Sequence, residues 1–435
     1  MARILIAGGS LGGLLAANML LRDGHDVQVL EKAAGSLDGR GAGIVTHAAL
    51  FDALRRAGAT VDDSLGVRVA SRVALDVRGE VVAQLAMPQV LTSWSRLHAV
   101  LTAALPAARY HRSAEVQRVE THDRGVRVLT AAGRTFEGDV LIAADGIRSA
   151  VRAQFAPETM PQYAGYIAWR GVCDEAVLSR GTRERMFDKF AFGLPPGEQL
   201  IGYPVAGPGN TTEAGRRRFN FVWYRPADAQ GALRELLTDA DGEHHPQGIA
   251  PNRVSWRHVA AMREAGRRLL APQFAEVLEK TAQPFLQPIF DVESERIAFD
   301  RVALMGDAAF VARPHIGMGV TKAAVDAATL ADCIREHGAT PAALAAYESS
   351  RLPAGRAVLR RARELGAYLQ AQCSGRADVT RDAETVLRQT AAEWVDEPAV
   401  LTPNPHPHPH PPSPPNPRPT LHLTQGPAPA AAPHR

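Results

Sequence analysis

The chain opens on a short unbroken apolar run, Ile4-Leu5-Ile6-Ala7, the pattern of a strand buried on both faces. Gly8 to Gly13 interrupts it as a turn. From Leu11 to Arg22 leucine and alanine recur at helical spacing, and Gly24 marks the end of that helix. Val27 to Leu30 is a second apolar run. The order is strand, turn, helix, strand, and two strands of one sheet joined through a helix run parallel.

Further on the period changes. Val116 to Glu120 and Val126 to Leu129 read as short strands, and the run from Asp139 to Ala144 as another buried one. From about Gln162 to Pro226, aromatic and β-branched residues alternate between turn signals, as in an antiparallel sheet. Phe219, Phe221 and Trp223 then share one face, because strand side chains alternate. Val302 to Met305 predicts a strand leading into Gly306-Asp307. A helix carrying Ala323, Ala324, Ala327, Ala328 and Leu330 follows. Residues 343–398 read as helical, with Pro353 at a start or a kink. From Thr402 the prolines are too dense for helix or strand, so residues 401–435 are expected to be a disordered, Pro-rich tail. His406, His408 and His410 alternate with those prolines, but nothing there would build a metal cavity, and no metal site is expected.

Bulk composition narrows the function classes. Apolar residues make up 46% and charged residues 22% of the chain, an ordinary globular balance. The net charge of +3 is too near balance to argue for nucleic acid or a membrane surface. Arg216, Arg217 and Arg218 read as a solvated turn beside a strand starting at Phe219. Cys173, Cys333 and Cys373 are scattered, which argues against a disulfide framework or structural zinc and fits a cytoplasmic location. Neither a signal peptide nor a membrane span is read.

Three segments carry chemistry. Gly8-Gly9-Ser10-Leu11-Gly12-Gly13 lies between a strand and a helix. It differs from the dinucleotide fingerprint G-x-G-x-x-G in having Ser10 at the second glycine. The requirement there is close approach of backbone N–H groups to a pyrophosphate at a helix N-terminus. Serine is small enough for that and adds a hydroxyl. Glu31, closing the second strand, is placed to accept the hydroxyls of an adenosine ribose. The second segment is Asp145-Gly146-Ile-Arg148-Ser149; the third is Gly306-Asp307-Ala308-Ala309 with Arg313-Pro314-His315-Ile316-Gly317-Met318-Gly319. Each puts an acid and a glycine just after a buried strand, where α/β sheets bind ligands.

In this order and spacing the segments resemble the class A flavin monooxygenases, the family of p-hydroxybenzoate and salicylate hydroxylases. The resemblance runs from about residue 3 to about 370. It implies an α/β fold with a Rossmann-like FAD-binding domain, an inserted antiparallel-sheet substrate domain and C-terminal helices. The FAD domain is expected at 1–72, 96–155 and 285–342, the substrate domain at 73–95 and 156–284, and the helices at 343–400. Carried over residue by residue, the cofactor contacts are Gly8, Ser10, Leu11, Gly13, Glu31 and Lys32 for the ADP part. Gly43, in Gly41-Ala42-Gly43-Ile44, belongs to a glycine loop. Arg96 and Asp145 are expected near the phosphates and Asp307 at the ribityl chain. Pro314, Gly317, Met318 and Gly319 are expected at the flavin edge. Tyr163 to Gly171, Phe187 to Phe190, Phe219 to Tyr224 and Arg313 to His315 are similar to the hydroxypyridine hydroxylases within the family. The chain departs from the family pattern at Phe310, Met318 and Thr321.

The implied activity is hydroxylation of a small aromatic or heteroaromatic ring bearing a hydroxyl. It uses FAD, O₂ and NADH or NADPH, through a C4a-hydroperoxyflavin. A ring hydroxyl that loses its proton becomes a better nucleophile, and His315 is the first candidate to assist, against a packing role of equal weight. His47, Tyr203, Trp223 and His315 are candidate substrate contacts, with Tyr224 as a further tyrosine that packs or assists. A homodimer is left open. The rival readings are another flavin enzyme, a ligand-sensing flavoprotein and a plain NAD dehydrogenase. A halogenase is disfavoured because no tryptophan sits in W-x-W-x-I-P.

Overall fold

In a computed structural model describing residues 1–35, 37, 43–372 and 381–392, the opening segment folds as its pattern predicts. Strand Arg3–Ala7 passes through a turn into helix Leu11–Arg22 and returns as strand Asp26–Leu30. They join a six-stranded sheet in the order Ala298–Phe299, Val302–Leu304, Val140–Ala143, Arg3–Ala7, Asp26–Leu30, Tyr110–His111. All pairings are parallel except the edge hairpin at Ala298–Phe299. Both faces of the central strands are covered, so Ile4, Leu5, Ile6, Leu141 and Ile142 are fully buried. The carboxyl ends of three parallel strands therefore open together at Gly8, Ala144 and Met305.

A nine-stranded sheet lies beside it among the described residues. Its order is Phe310–Val311, Phe285–Glu293, Gln162–Asp174, Arg218–Pro226, Gln199–Val205, Lys189–Gly193, Val67–Leu75, Val81–Ser93, Gly43–Val45. It is antiparallel except where Lys189–Gly193 runs parallel to Val67–Leu75. Its two faces have separate cores. Ile167, Trp169, Phe219, Phe221 and Trp223 pack with Met262, Phe274 and Val277 from helices Trp256–Leu269 and Pro272–Lys280. Tyr166, Ala168, Ile201, Tyr203, Val222 and Tyr224 face the other way, toward Leu369, Val386 and Leu387.

The structure adds detail to three sequence expectations. Strands Gly43–Val45, Val67–Leu75 and Phe285–Glu293 all belong to the nine-stranded sheet, although they begin in segments assigned to the nucleotide-binding side. Of the two places expected for Pro353, a helix start is excluded, because Pro341–Gln372 runs through it. A proline inside a helix costs about 3 kcal/mol, and burial of Ala354, Ala357, Val358 and Leu359 beyond it offsets that loss. Arg217 is not solvated: its guanidinium is held by the buried Glu175 carboxylate at 2.8 Å, and the strand starts at Arg218. The C-terminal helices are Pro341–Gln372 and Ala383–Gln389. The expected Pro-rich tail and Cys373 lie outside the described residues.

Candidate active site

The turn after Arg3–Ala7 requires glycine where the backbones close. Gly8 has φ +100, and a Cβ there would fall 2.3 Å from the Ala144 carbonyl oxygen. A Cβ at Gly13 would fall 2.0 Å from the Gly8 oxygen. Ser10 is the N-cap of helix Leu11–Arg22, yet its side chain makes no capping bond. Ser10 lines two cavities, and a helix N-terminus left uncapped beside a cavity is an arrangement that binds anions. Glu31 stiffens the same turn: its carboxylate accepts from Gly9 N and Ala33 N, both at 2.8 Å. A carboxylate has about four lone-pair positions, so two remain for a ligand.

The Gly306-Asp307 turn is built over a buried charge network. Lys322 donates to the Gly306 oxygen at 2.8 Å and reaches Asp326 at 3.3 Å. Asp326 accepts from Gly306 N at 3.1 Å and from Arg351 Nε at 2.8 Å. With every member paired, the network fixes the turn rather than destabilising it. Asp307 itself is left open toward a cleft. Its recessed surroundings push its carboxyl above the usual range, opposed by Lys322. Burial likewise raises Asp145, whose Oδ1 is buried with no partner among the described residues.

These turns border two cavities. One of about 270 Å³ is lined by Gly8, Ser10, Glu31, Lys32, Asp145, Gly146 and Arg148, among others. The other, of about 360 Å³, reaches from Ser10, Leu11 and Asp307 to the nine-stranded sheet. There it meets Arg170, Ile201, Tyr203, Val222, Tyr224 and Ile289. Ser10, Trp94, Ala144 and Gly146 line both, so the two are neighbouring parts of one elongated cleft.

The sheet end is made of aromatic hydroxyls. Burial pushes the Tyr203 phenol up to about 12 and raises Tyr224 still further, so both remain protonated donors. Tyr224 separates the cavity from His315: the rings are 4.3 Å apart between centroids. His315 Nε2 lies 2.9 Å from the Tyr166 hydroxyl. Burial, helped by Arg381 and Arg313, pushes His315 down to about 3, so it is neutral.

Gly8, Ser10, Leu11, Glu31, Lys32, Gly43, Asp145, Asp307, Pro314, Gly317, Gly319 and Tyr203 line the cleft. Gly13 does not line it and packs against the Gly8 carbonyl. His315 does not line it, because the Pro314–Ile316 turn sends its ring under Tyr224. Trp223 is turned away by strand alternation, into the opposite core. Met318 is buried against Ile316, Val358 and Ala362. Arg96 lines neither cavity and donates to the Ser64 hydroxyl at 2.6 Å. His47 faces a separate hollow and contacts Thr321 Oγ1 at 2.9 Å. Residues not named individually as site candidates are Trp94, Arg170, Ala391 and the Lys322–Asp326–Arg351 network. Of these, Arg170 was within reach of the pattern, since it shares strand parity with Tyr166 and Ala168.

The cleft fits an extended dinucleotide. Glycine turns too tight for a Cβ, an uncapped helix N-terminus and an unpartnered Asp145 oxygen line one part, and an open Asp307 lies in the other. The chain belongs to the class A FAD-dependent aromatic-ring monooxygenases, flavoproteins that draw electrons from NADH or NADPH. A family described as FAD binding domain-like matches residues 163–291. The chain is 32% identical over 369 residues to 2,6-dihydroxypyridine 3-monooxygenase of Paenarthrobacter nicotinovorans, covering 85% of this chain and 91% of that one. It is 31% identical to aurachin C monooxygenase/isomerase of Stigmatella aurantiaca, covering 80% and 85%. The solved 2,6-dihydroxypyridine-3-hydroxylase from Arthrobacter nicotinovorans superposes with a TM-score of 0.82 at 30% identity, covering 92% of this chain and 99% of that one.

Proposed function

We propose that this chain is a cytoplasmic hydroxylase of a planar ring bearing at least one hydroxyl, with a hydroxypyridine as the favoured substrate class. The observation that carries it is the shape and lining of the 360 Å³ cavity, apolar at Ile201, Val222 and Ile289 and hydroxyl-bearing at Tyr203 and Tyr224. Relatives named for 2,6-dihydroxypyridine and 6-hydroxynicotinate support the substrate class. The pyrophosphate is assigned to the turn from Gly8 to Gly13 with Asp145, the adenosine to Glu31 and Lys32. The ribityl chain is assigned to Asp307, and the flavin edge to the backbone at Pro314, Gly317 and Gly319.

Bound FAD supplies the acceptor for hydride from NAD(P)H and the activation of O₂. The protein's part is to hold the ring, orient it and exclude water. Ile201, Val222 and Ile289 give the ring apolar walls. Tyr203 and Tyr224 donate to its oxygen substituents. His315 acts through Tyr224, as a packed neutral support rather than a base in contact with substrate.

The test is isotopic. With ¹⁸O₂ and a panel of hydroxypyridines and phenols, a ring that stimulates NAD(P)H oxidation yields product carrying one labelled oxygen. Stimulated oxidation without label in any product overturns the hydroxylase reading in favour of a reductase.

A further inference from the structure

We infer that Arg170 anchors the substrate's negative charge, so that the ring binds as an oxyanion already formed in solution. This deepens the reading above and rests on it. Among the described residues lining the 360 Å³ cavity, Arg170 and Asp307 are the charged ones. Asp307 belongs to the turn after the parallel sheet. Arg170 belongs to the opposite sheet, on strand Gln162–Asp174, with Val222 directly across on Arg218–Pro226.

Its donors are mostly unspent. Nη1 donates to Gln287 Oε1 at 2.7 Å, and Nε is buried without a partner among the described residues. No described carboxylate lies within ion-pair distance of it. A guanidinium has five N–H donors and no acceptor, and its fork matches an anionic oxygen. A half-buried, uncompensated arginine in a binding cavity is a site waiting for an anion.

The rest of the cavity agrees. Tyr203 and Tyr224 are close enough for the Arg170 charge to oppose the rise that burial causes in both phenols. They stay protonated and donate. No described histidine, cysteine or lysine lines the cavity, and His315 lies behind Tyr224. The cavity thus offers donors and, beyond Asp307, no proton acceptor. The ring's hydroxyl proton is released to water before binding. The electron pair left on the oxygen is held by Arg170 and feeds the ring that is to be hydroxylated. The favoured substrates are rings whose hydroxyl is acidified by a ring nitrogen.

The experiment titrates the FAD-loaded protein with 2,6-dihydroxypyridine, without NAD(P)H, reading flavin absorbance from pH 5.5 to 8.5. Wild type, Arg170→Gln and Arg170→Lys are compared. Wild-type Kd is expected to fall about tenfold per pH unit up to the ring's own pKa and then level off. Arg170→Gln raises the plateau Kd about 10–100-fold, the worth of a charge-assisted hydrogen bond, and flattens the profile. Arg170→Lys restores part of both, because it keeps the charge and loses the fork. Lysine rescue also separates anchoring from misfolding, with bound flavin per chain as control. The groups near Arg170 are Tyr203, Tyr224 and Gln287, and Asp307 is the one carboxylate lining the same cavity; Asp307→Asn removes it as a source of the profile. A pH-independent wild-type Kd, equal binding of 2,6-dimethoxypyridine, binding of benzoate but not of the dihydroxypyridine, or an Arg170→Gln Kd within about twofold of wild type each overturns the anchor. If the dihydroxypyridine is hydroxylated while Arg170→Gln is unaffected, the anchor alone fails. If no ring perturbs the flavin or stimulates NAD(P)H oxidation, the hydroxylase reading fails and takes the anchor with it.

Discussion

The two ends of the cleft are built by opposite means. At the parallel-sheet end the backbone does most of the work: Gly8, Gly13 and the uncapped turn at Ser10 present N–H groups, and side chains such as Glu31 and Lys322 hold that backbone still. At the antiparallel-sheet end side chains do the work. Arg170, Tyr203, Val222 and Tyr224 come from three neighbouring strands and meet because their parities agree. Backbone recognition suits a cofactor shared across a family. Side-chain recognition suits a substrate that differs between members, since one substitution alters it without moving the fold.

That contrast is open to attack, first at the backbone end. Gly8→Ala places a Cβ 2.3 Å from a carbonyl oxygen at φ +100. FAD affinity should fall by about 10²-fold or more, since strain of this kind costs on the order of 1–3 kcal/mol before the clash is counted. Flavin absorbance per chain after gel filtration measures it. Near-normal flavin content would show that the turn tolerates a side chain and is not a backbone site.

Asp307→Ala tests the one side chain of the G-D turn proposed to touch cofactor. A lost hydrogen bond to a carboxylate is worth about 1.5–3 kcal/mol, so FAD should dissociate about 10–100-fold more readily. The melting temperature of the flavin-free protein should hardly move, because Asp307 is outside the Lys322–Asp326–Arg351 network. A large drop in that melting temperature would make Asp307 a structural residue instead.

The smallest effect concerns His315, which supports the sheet end from behind. Its pKa in the fold is about 3, against about 6.5 in an unfolded chain. The unfolded chain binds the extra proton between those values, so stability is intact above about 6.5 and is lost as pH falls. By pH 5 the loss is roughly 2 kcal/mol. Denaturant melts of wild type and His315→Asn at pH 7 and pH 5 should show that loss in wild type and a shallower dependence in the variant. Equal slopes would mean that His315 is already charged in the fold.

Legibility in the sequence follows the same division. The parallel-sheet end is legible because its signals are local: Gly8 to Gly13, Asp145-Gly146 and Gly306-Asp307 each sit directly after an apolar strand. The sheet end was not, since its face depends on which side of a strand meets the cavity. Phe219, Phe221 and Trp223 do share a face, as their spacing predicts. That face is the wrong one for Trp223 to meet a ligand, because Asn220, Val222 and Tyr224 point inward. His315 is chemically suggestive in the sequence, but a neighbouring tyrosine, Tyr224, covers it. Arg96 and Met318 sit beside cleft-lining positions, yet tertiary packing turns both side chains elsewhere.

One contact bears on the order in which the protein is made. Ala391 lines the cavity, its N–H donates to the His315 oxygen at 2.7 Å, and its side chain packs where a Cβ on Gly317 would stand. Arg72, buried early in the chain, reaches the carbonyls of Leu387, Thr390 and Ala391 and holds that turn in place. A ribosome adds residues from the N-terminus, and folded parts form as they emerge. The parallel-sheet end can assemble once Val302–Leu304 is out, while the wall at Ala391 waits for nearly ninety further residues and for the exit tunnel to clear. Closure of the cavity at Ala391 therefore comes after the turns at Gly8 and Gly306 can form, and a polypeptide cut short before residue 391 would carry those turns beside an open cavity.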